Sequence, residues 1–145
     1  MAVCLDASVL VAAVLPEELT SAAQHLLERC EEHDERLVGP TLTLYEVASA
    51  LRRKAFDGET SEDEAFDALN LILGLRVHYY RHADVHREAY RYASSFGQRH
   101  TYDEHYLAVA VATGSDLWSG DSDFVRRAQT VYARCHSLED LGSAE

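Results

Sequence analysis

Lysine is nearly missing from this chain: Lys54 is the only one in 145 residues. Thirteen Lys and Arg stand against twenty-five Asp and Glu, for a net charge of −12. A surface of one sign repels polyanions at long range. Any nucleic-acid role must therefore rest on a local cationic patch or on bound metal. Long hydrophobic runs are missing as well. The longest, Val9 to Leu15, falls far short of the roughly 20 residues that span a bilayer. The opening, Met1-Ala2-Val3-Cys4-Leu5-Asp6, has no basic start and meets an acid almost at once, so a cytoplasmic protein is expected. Cysteine is sparse: Cys4, Cys30 and Cys135 form no Cys-x-x-Cys pair and no Cys/His spacing suited to zinc. They are expected as buried thiols. With two prolines, no repeat and no Pro/Gly-rich linker, residues 1–145 read as one domain of ordinary size. At 47% hydrophobic residues the chain can bury a core without disulfides.

What is present alternates between short apolar runs and helical stretches. Ala2–Leu5 reads as a strand ending at Asp6, with Ser8–Leu15 helical after it. Leu19, Ala22, Ala23, Leu26, Leu27 and Cys30 form one stripe of an amphipathic helix. Arg36–Gly39 is a strand candidate, Thr43–Phe56 a helix closed by Asp57-Gly58. Ser61-Glu62-Asp63-Glu64 has the form of a capping box opening a helix to about Leu73. Leu75–Tyr79 reads as strand, Ala83–Phe96 as helix, Asp103–Thr113 as helix and Asp116–Ser119 as strand. Asp121–Gln129 reads as a turn leading into a helix, and Thr130–Arg134 as a last strand. This order predicts an α/β fold: a three-layer α/β/α sandwich on a mostly parallel sheet.

In open α/β sheets, function collects at the carboxyl ends of the strands. Asp6 sits at such an end, and Asp121 and Asp123 follow another; Glu46 and Asp103 lie in the first turns of predicted helices. Phosphodiester hydrolysis needs a hydroxide-like nucleophile near neutral pH and neutralised phosphate oxygens. A hard divalent cation on carboxylates supplies both. Each acid also has a plain structural reading. Asp6 could cap the next helix. Thr43-Leu44-Tyr45-Glu46 and Thr101-Tyr102-Asp103-Glu104 have capping-box form, and Gly120-Asp121-Ser122-Asp123 could be an ordinary turn. Spacing alone does not choose between these readings.

Four segments taken together do choose. Val3-Cys4-Leu5-Asp6-Ala7-Ser8, Leu44-Tyr45-Glu46-Val47, Tyr102-Asp103-Glu104-His105-Tyr106-Leu107 and Ser119-Gly120-Asp121-Ser122-Asp123-Phe124 resemble, in order, the motifs of the PIN-domain family. The likeness is strongest to VapC-like toxins of toxin–antitoxin pairs. The acids stand 40, 57 and 18 positions apart, and the match covers nearly the whole chain. The resemblance implies an Mg²⁺- or Mn²⁺-dependent endoribonuclease that uses a metal-activated water. Asp6 and Asp103 would be its main ligands, and Glu46 and Asp121 would bind the ion or its waters. Asp123 would be an auxiliary ligand or a turn former. Ser8 would hydrogen-bond near Asp6, and Ser119, in place of the commoner threonine, would support the fourth turn. Glu104 departs from the small residue usual there. The resemblance also implies a homodimer, a cognate protein antitoxin and an RNA substrate.

For RNA contact, Arg53 is the residue to expect, two turns beyond Glu46 on one helix face. Arg99-His100 and Arg126-Arg127 could extend a cationic rim. The histidines show no spacing of a catalytic pair or metal site. Tyr79-Tyr80, Tyr90 and Tyr92 read as packing or interface residues. A receiver-like signalling domain would need a lysine near a late strand end, whereas Lys54 sits mid-chain. A haloacid-dehalogenase-like phosphatase would need an acid where Ser8 stands. The remaining alternative is a non-catalytic PIN-fold module binding RNA or protein.

Overall fold

The computed structural model describes residues 1–143. Its elements run β1 (Ala2–Leu5), α1 (Ala7–Val14), α2 (Thr20–Glu32), β2 (Arg36–Pro40), α3 (Leu42–Phe56), α4 (Glu62–Leu73) and β3 (Val77–Tyr80). They continue as α5 (Ala83–Ser95), α6 (Tyr102–Thr113), β4 (Asp116–Ser119), α7 (Ser122–Gln129), β5 (Cys135–Ser137) and α8 (Leu138–Ser143). The strands order as β3-β2-β1-β4-β5, and every pairing is parallel. Parallel neighbours need crossovers, which the helices supply, giving the three-layer α/β/α sandwich that the sequence predicts.

β1 lies at the centre of the sheet and is buried along its whole length, because Ala2-Val3-Cys4-Leu5 is apolar at every position. Leu10, Leu26, Leu107, Leu117 and Phe124 belong to the same core cluster, all at most 1% exposed. Each such side chain contributes roughly 1.5–3 kcal/mol by leaving water. The three thiols are free and buried, as their scatter predicts. The α2 stripe is inward too: Ala22, Ala23, Leu26 and Cys30 are buried, and Leu19 and Leu27 pack at its margin.

The chain leaves β1 toward β2 and β3 on one side, then returns to build β4 and β5 on the other. That reversal opens a crevice at the carboxyl ends of β1 and β4.

One element differs from the expectation. Thr130–Arg134 is not a strand: the amides of Val131 and Tyr132 both donate to Ala128 O, at 3.1 and 2.9 Å, and so prolong the end of α7. Its β-favouring residues serve packing instead, with the Tyr132 hydroxyl donating to Ser115 O at 2.7 Å. The strand that pairs with β4 is the next segment, Cys135–Ser137, in register Leu117↔Cys135. β3 likewise begins at Val77 rather than Leu75. No helix among the described residues is long and apolar enough to cross a membrane.

Candidate active site

Asp6 directly follows β1, and its N–H donates to Trp118 O at 3.1 Å, so β4 still holds it. Both carboxylate oxygens are occupied. Oδ1 accepts from the Ser8 N–H at 3.0 Å, capping α1, and Oδ2 accepts from the Ser119 hydroxyl at 2.8 Å. Ser119 Oγ accepts in turn from the Asp121 N–H at 3.0 Å, and Ser8 Oγ from the Gly120 N–H at 2.9 Å. Two loops more than a hundred residues apart in sequence are thus stitched by two serine hydroxyls. The helix-cap reading of Asp6 is correct, and it does not displace the functional one.

Glu46 sits in α3. The capping box that Thr43 and Glu46 suggest does not form: the helix starts after Thr41, and the Thr43 hydroxyl donates to Pro40 O at 2.8 Å. Glu46 is left for another partner, the hydroxyl of the fully buried Tyr106, which donates to Oε1 at 2.5 Å. Asp103 occupies the first turn of α6, where Thr101 makes no side-chain cap. Arg127 Nη2 reaches Asp103 Oδ2 and Glu104 Oε2, both at 3.3 Å. Glu104 is 1% exposed and turned into the protein, so this extra acid does not project into the crevice. Asp121 caps α7, its Oδ1 accepting from the N–H groups of Asp123 (3.0 Å) and Phe124 (3.2 Å).

Asp6, Glu46, Asp103 and Asp121 line one groove of about 590 Å³, together with Ser8 and Arg53. Asp123 is outside its lining and pairs with Arg126. Arg53 faces the groove as its helical spacing predicts. Its neighbours are spoken for: Arg52 pairs with Glu62 at 3.2 Å, and Lys54 with Glu17 and Glu59 at 3.4 and 3.5 Å. The rim expected of Arg126-Arg127 does not form: Arg127 is turned inward onto Asp103 and Glu104, and Arg126 pairs with Asp123 on the exposed surface.

Three of these acids are reluctant to ionise. Burial pushes Asp6 from the ordinary 3.8 to about 6; bonds from Ser8 and Ser119 oppose this, and the charges of Asp103 and Glu46 add to it. Glu46 is raised by burial against the pull of the Tyr106 bond, with Asp103 repulsion adding. Asp103 is raised by burial and then by Asp121, with Arg127 pulling it back. Mutual repulsion among half-buried carboxylates is what a cation would relieve. The donors are all oxygen, the set that hard divalent ions prefer, so the groove has the donor chemistry for such an ion. It is not a closed cage: among the described residues no group of three or more His, Cys, Asp or Glu is arranged to hold a metal ion.

Residues 3–129 match the PIN domain family. The chain belongs to the PIN-domain family. It is 31% identical over 131 residues to Ribonuclease VapC3 of Pyrobaculum aerophilum, covering 88% of this chain and 95% of the relative. The crystal structure of PAE2754 from Pyrobaculum aerophilum superposes with a TM-score of 0.69 at 26% identity, over 99% of this chain and 88% of that one. FitAcB from Neisseria gonorrhoeae shares the fold with a TM-score of 0.53 at 16% identity, over 88% of this chain and 93% of that one. Sequence motifs locate the acids of this PIN domain, and the resemblance names Ser8 and Ser119 beside them, but the roles of Tyr106 and Arg127 are missed. Tyr106 could have been found, since it lies at i+3 from Asp103 on a predicted helix and shares its face. Arg127 gives no comparable signal, because only the fold brings α7 beside the start of α6.

Proposed function

We propose that the protein is a divalent-cation-dependent endoribonuclease that hydrolyses RNA phosphodiester bonds, and that it is the toxin of a toxin–antitoxin pair. One observation carries the reading: carboxylates from four distant segments line a single groove at the switch point of the sheet. The likeness to Ribonuclease VapC3 supports the same substrate class.

In this reading Asp6, Glu46, Asp103 and Asp121 hold Mg²⁺ or Mn²⁺, and Asp123 serves the turn through Arg126. Bound there, the cation would neutralise phosphate charge and lower the pKa of a water. The chain's own work is orientation. Ser119 and Ser8 fix both oxygens of Asp6, and Tyr106 fixes one oxygen of Glu46 while its other stays free. Arg127 takes one oxygen of Asp103 and leaves the second toward the groove. Arg53, without a carboxylate partner among the described residues, meets a phosphate of the substrate. Hydrolysis leaving a 5′-phosphate and a 3′-hydroxyl is expected. A homodimer and a small antitoxin protein complete the proposal, and the exposed Phe56, Phe66 and Leu71 on α3 and α4 offer apolar surface for such contacts.

The lack of a closed acidic cage is also what a non-catalytic binding module would show. Incubating mixed RNA with Mg²⁺ or Mn²⁺ separates the two. Wild type should cleave, and Asp6→Asn should be slower by at least about a hundredfold, since losing a ligand costs no less than losing the partner that orients it. Equal cleavage by both proteins, or a 2′,3′-cyclic product, would remove the proposed site.

A further inference from the structure

Beside the acidic groove lies a second cavity, of about 250 Å³, and the two share Leu42, Tyr45 and Tyr102 as a common wall. Both tyrosines are open to solvent, Tyr45 at 73% and Tyr102 at 56% exposure. Tyr102 is nonetheless held in place, because its ring stacks on His100 with centroids 5.8 Å apart and planes inclined by 23°. The far side of the second cavity carries Arg81 and His86. His86 Nδ1 lies 2.9 Å from His105 Nε2, and His105 Nδ1 lies 2.6 Å from Thr101 O, which ties the imidazole pair to the start of α6.

Of the twelve arginines, Arg52, Arg87, Arg91, Arg126, Arg127 and Arg134 pair with carboxylates among the described residues and six do not. Arg53 in the first cavity and Arg81 in the second have no such partner among the described residues. Two uncompensated guanidiniums with two exposed aromatic rings between them match one kind of ligand. It carries phosphates at intervals and presents unpaired flat bases, which stack on aromatic side chains. A duplex hides its base faces and could not use the tyrosines.

We infer that the second cavity is a subsite for nucleotides flanking the scissile bond: an unpaired RNA stretch lays bases on Tyr45 and Tyr102 and a phosphate on Arg81. This rests on the nuclease reading for the scissile bond, but its binding test does not. A labelled single-stranded RNA of mixed sequence is titrated by fluorescence anisotropy with Ca²⁺ in place of Mg²⁺. Tyr102→Leu and Arg81→Ala should each weaken binding by about tenfold, whereas Tyr102→Phe, which keeps the ring, should bind as wild type does. With Mg²⁺, the same two variants should raise KM for this RNA and leave kcat unchanged. The same strand annealed to its complement should bind more weakly to wild type and be indifferent to all three substitutions. Unaltered melting temperatures establish that the variants are folded.

If both variants bind the single strand as tightly as wild type, the inference fails, even where Asp6→Asn has shown the nuclease to be real. If the variants instead lose only the capture of a protein antitoxin, the surface is a protein interface and the inference fails equally. Weakened binding by a protein that cleaves nothing would uphold the subsite and sink the nuclease.

Discussion

Asp6 and Asp103 face the same groove and are both reluctant to ionise, yet the fold supports them in opposite ways. Asp6 is held by neutral donors alone, a serine hydroxyl and a backbone N–H. Asp103 is held by a guanidinium that it shares with the buried Glu104. Neutral donors fix geometry and ease the charge without cancelling it, so most of the charge on Asp6 stays uncompensated. An arginine fixes geometry and cancels charge together, so part of the demand at Asp103 is met inside the protein. The groove thus has a hungry end at β1 and a partly satisfied end at α6.

Removing the internal cation should disturb this contrast most. Arg127→Ala leaves Glu104, 1% exposed, without its cation and should cost about 3 kcal/mol in urea unfolding. Arg127→Ala combined with Glu104→Gln should recover most of that loss. If the single variant is as stable as wild type, Arg127 is not what holds the α6 end.

The opposite end is tested through pH. A carboxyl raised from 3.8 to about 6 is favoured in its protonated form by the fold. Its contribution to stability is complete below pH 3.8 and is lost as pH rises through about 6. Asp6→Asn is neutral throughout. Without metal, it should be more stable than wild type above that window by about 3 kcal/mol, the two converging in acid. Added Mg²⁺ should raise the melting temperature of wild type and leave that of the variant in place. Identical curves for the two metal-free proteins at every pH would mean that Asp6 carries no unmet charge.

Tyr106→Phe is the gentlest probe, because Glu46 is only half-buried and water can replace the hydroxyl. A loss of about 1 kcal/mol in stability is expected. Mn²⁺ affinity, measured by titration calorimetry, should fall by about tenfold because a ligand has lost the bond that aims it. Unchanged affinity would reduce Tyr106 to a packing residue.

The acids and the layer order were legible in the sequence because both leave local marks. Alternating apolar runs betray strands and helices, and Asp6 and Asp121 stand one or two residues past strand ends. The supports were less legible. Ser119 and Ser8 could be read only through resemblance, since a serine beside an aspartate is common in turns. Arg127 looked like a surface charge because its carboxylate partners lie 23 and 24 residues away in sequence. Thr130–Arg134 misled for a related reason. Its β-favouring residues report a need for packing, which the turn after α7 meets as well as a strand does, and only the pairing with β4 distinguishes them.

Gly120 sets the spacing of this arrangement by what it lacks. A Cβ built there would press on Ser8 Oγ at 3.2 Å and Ser8 Cβ at 3.4 Å, so the neighbour would have to give way by a few tenths of an ångström. Since Ser8 leads back to Asp6 and Gly120 leads on to Asp121, even one methyl group would act as a shim between the first and fourth acids. The spacing between these two acids is therefore gauged by a missing side chain, and a substitution that introduces no charge and removes no carboxylate would still put the groove out of adjustment.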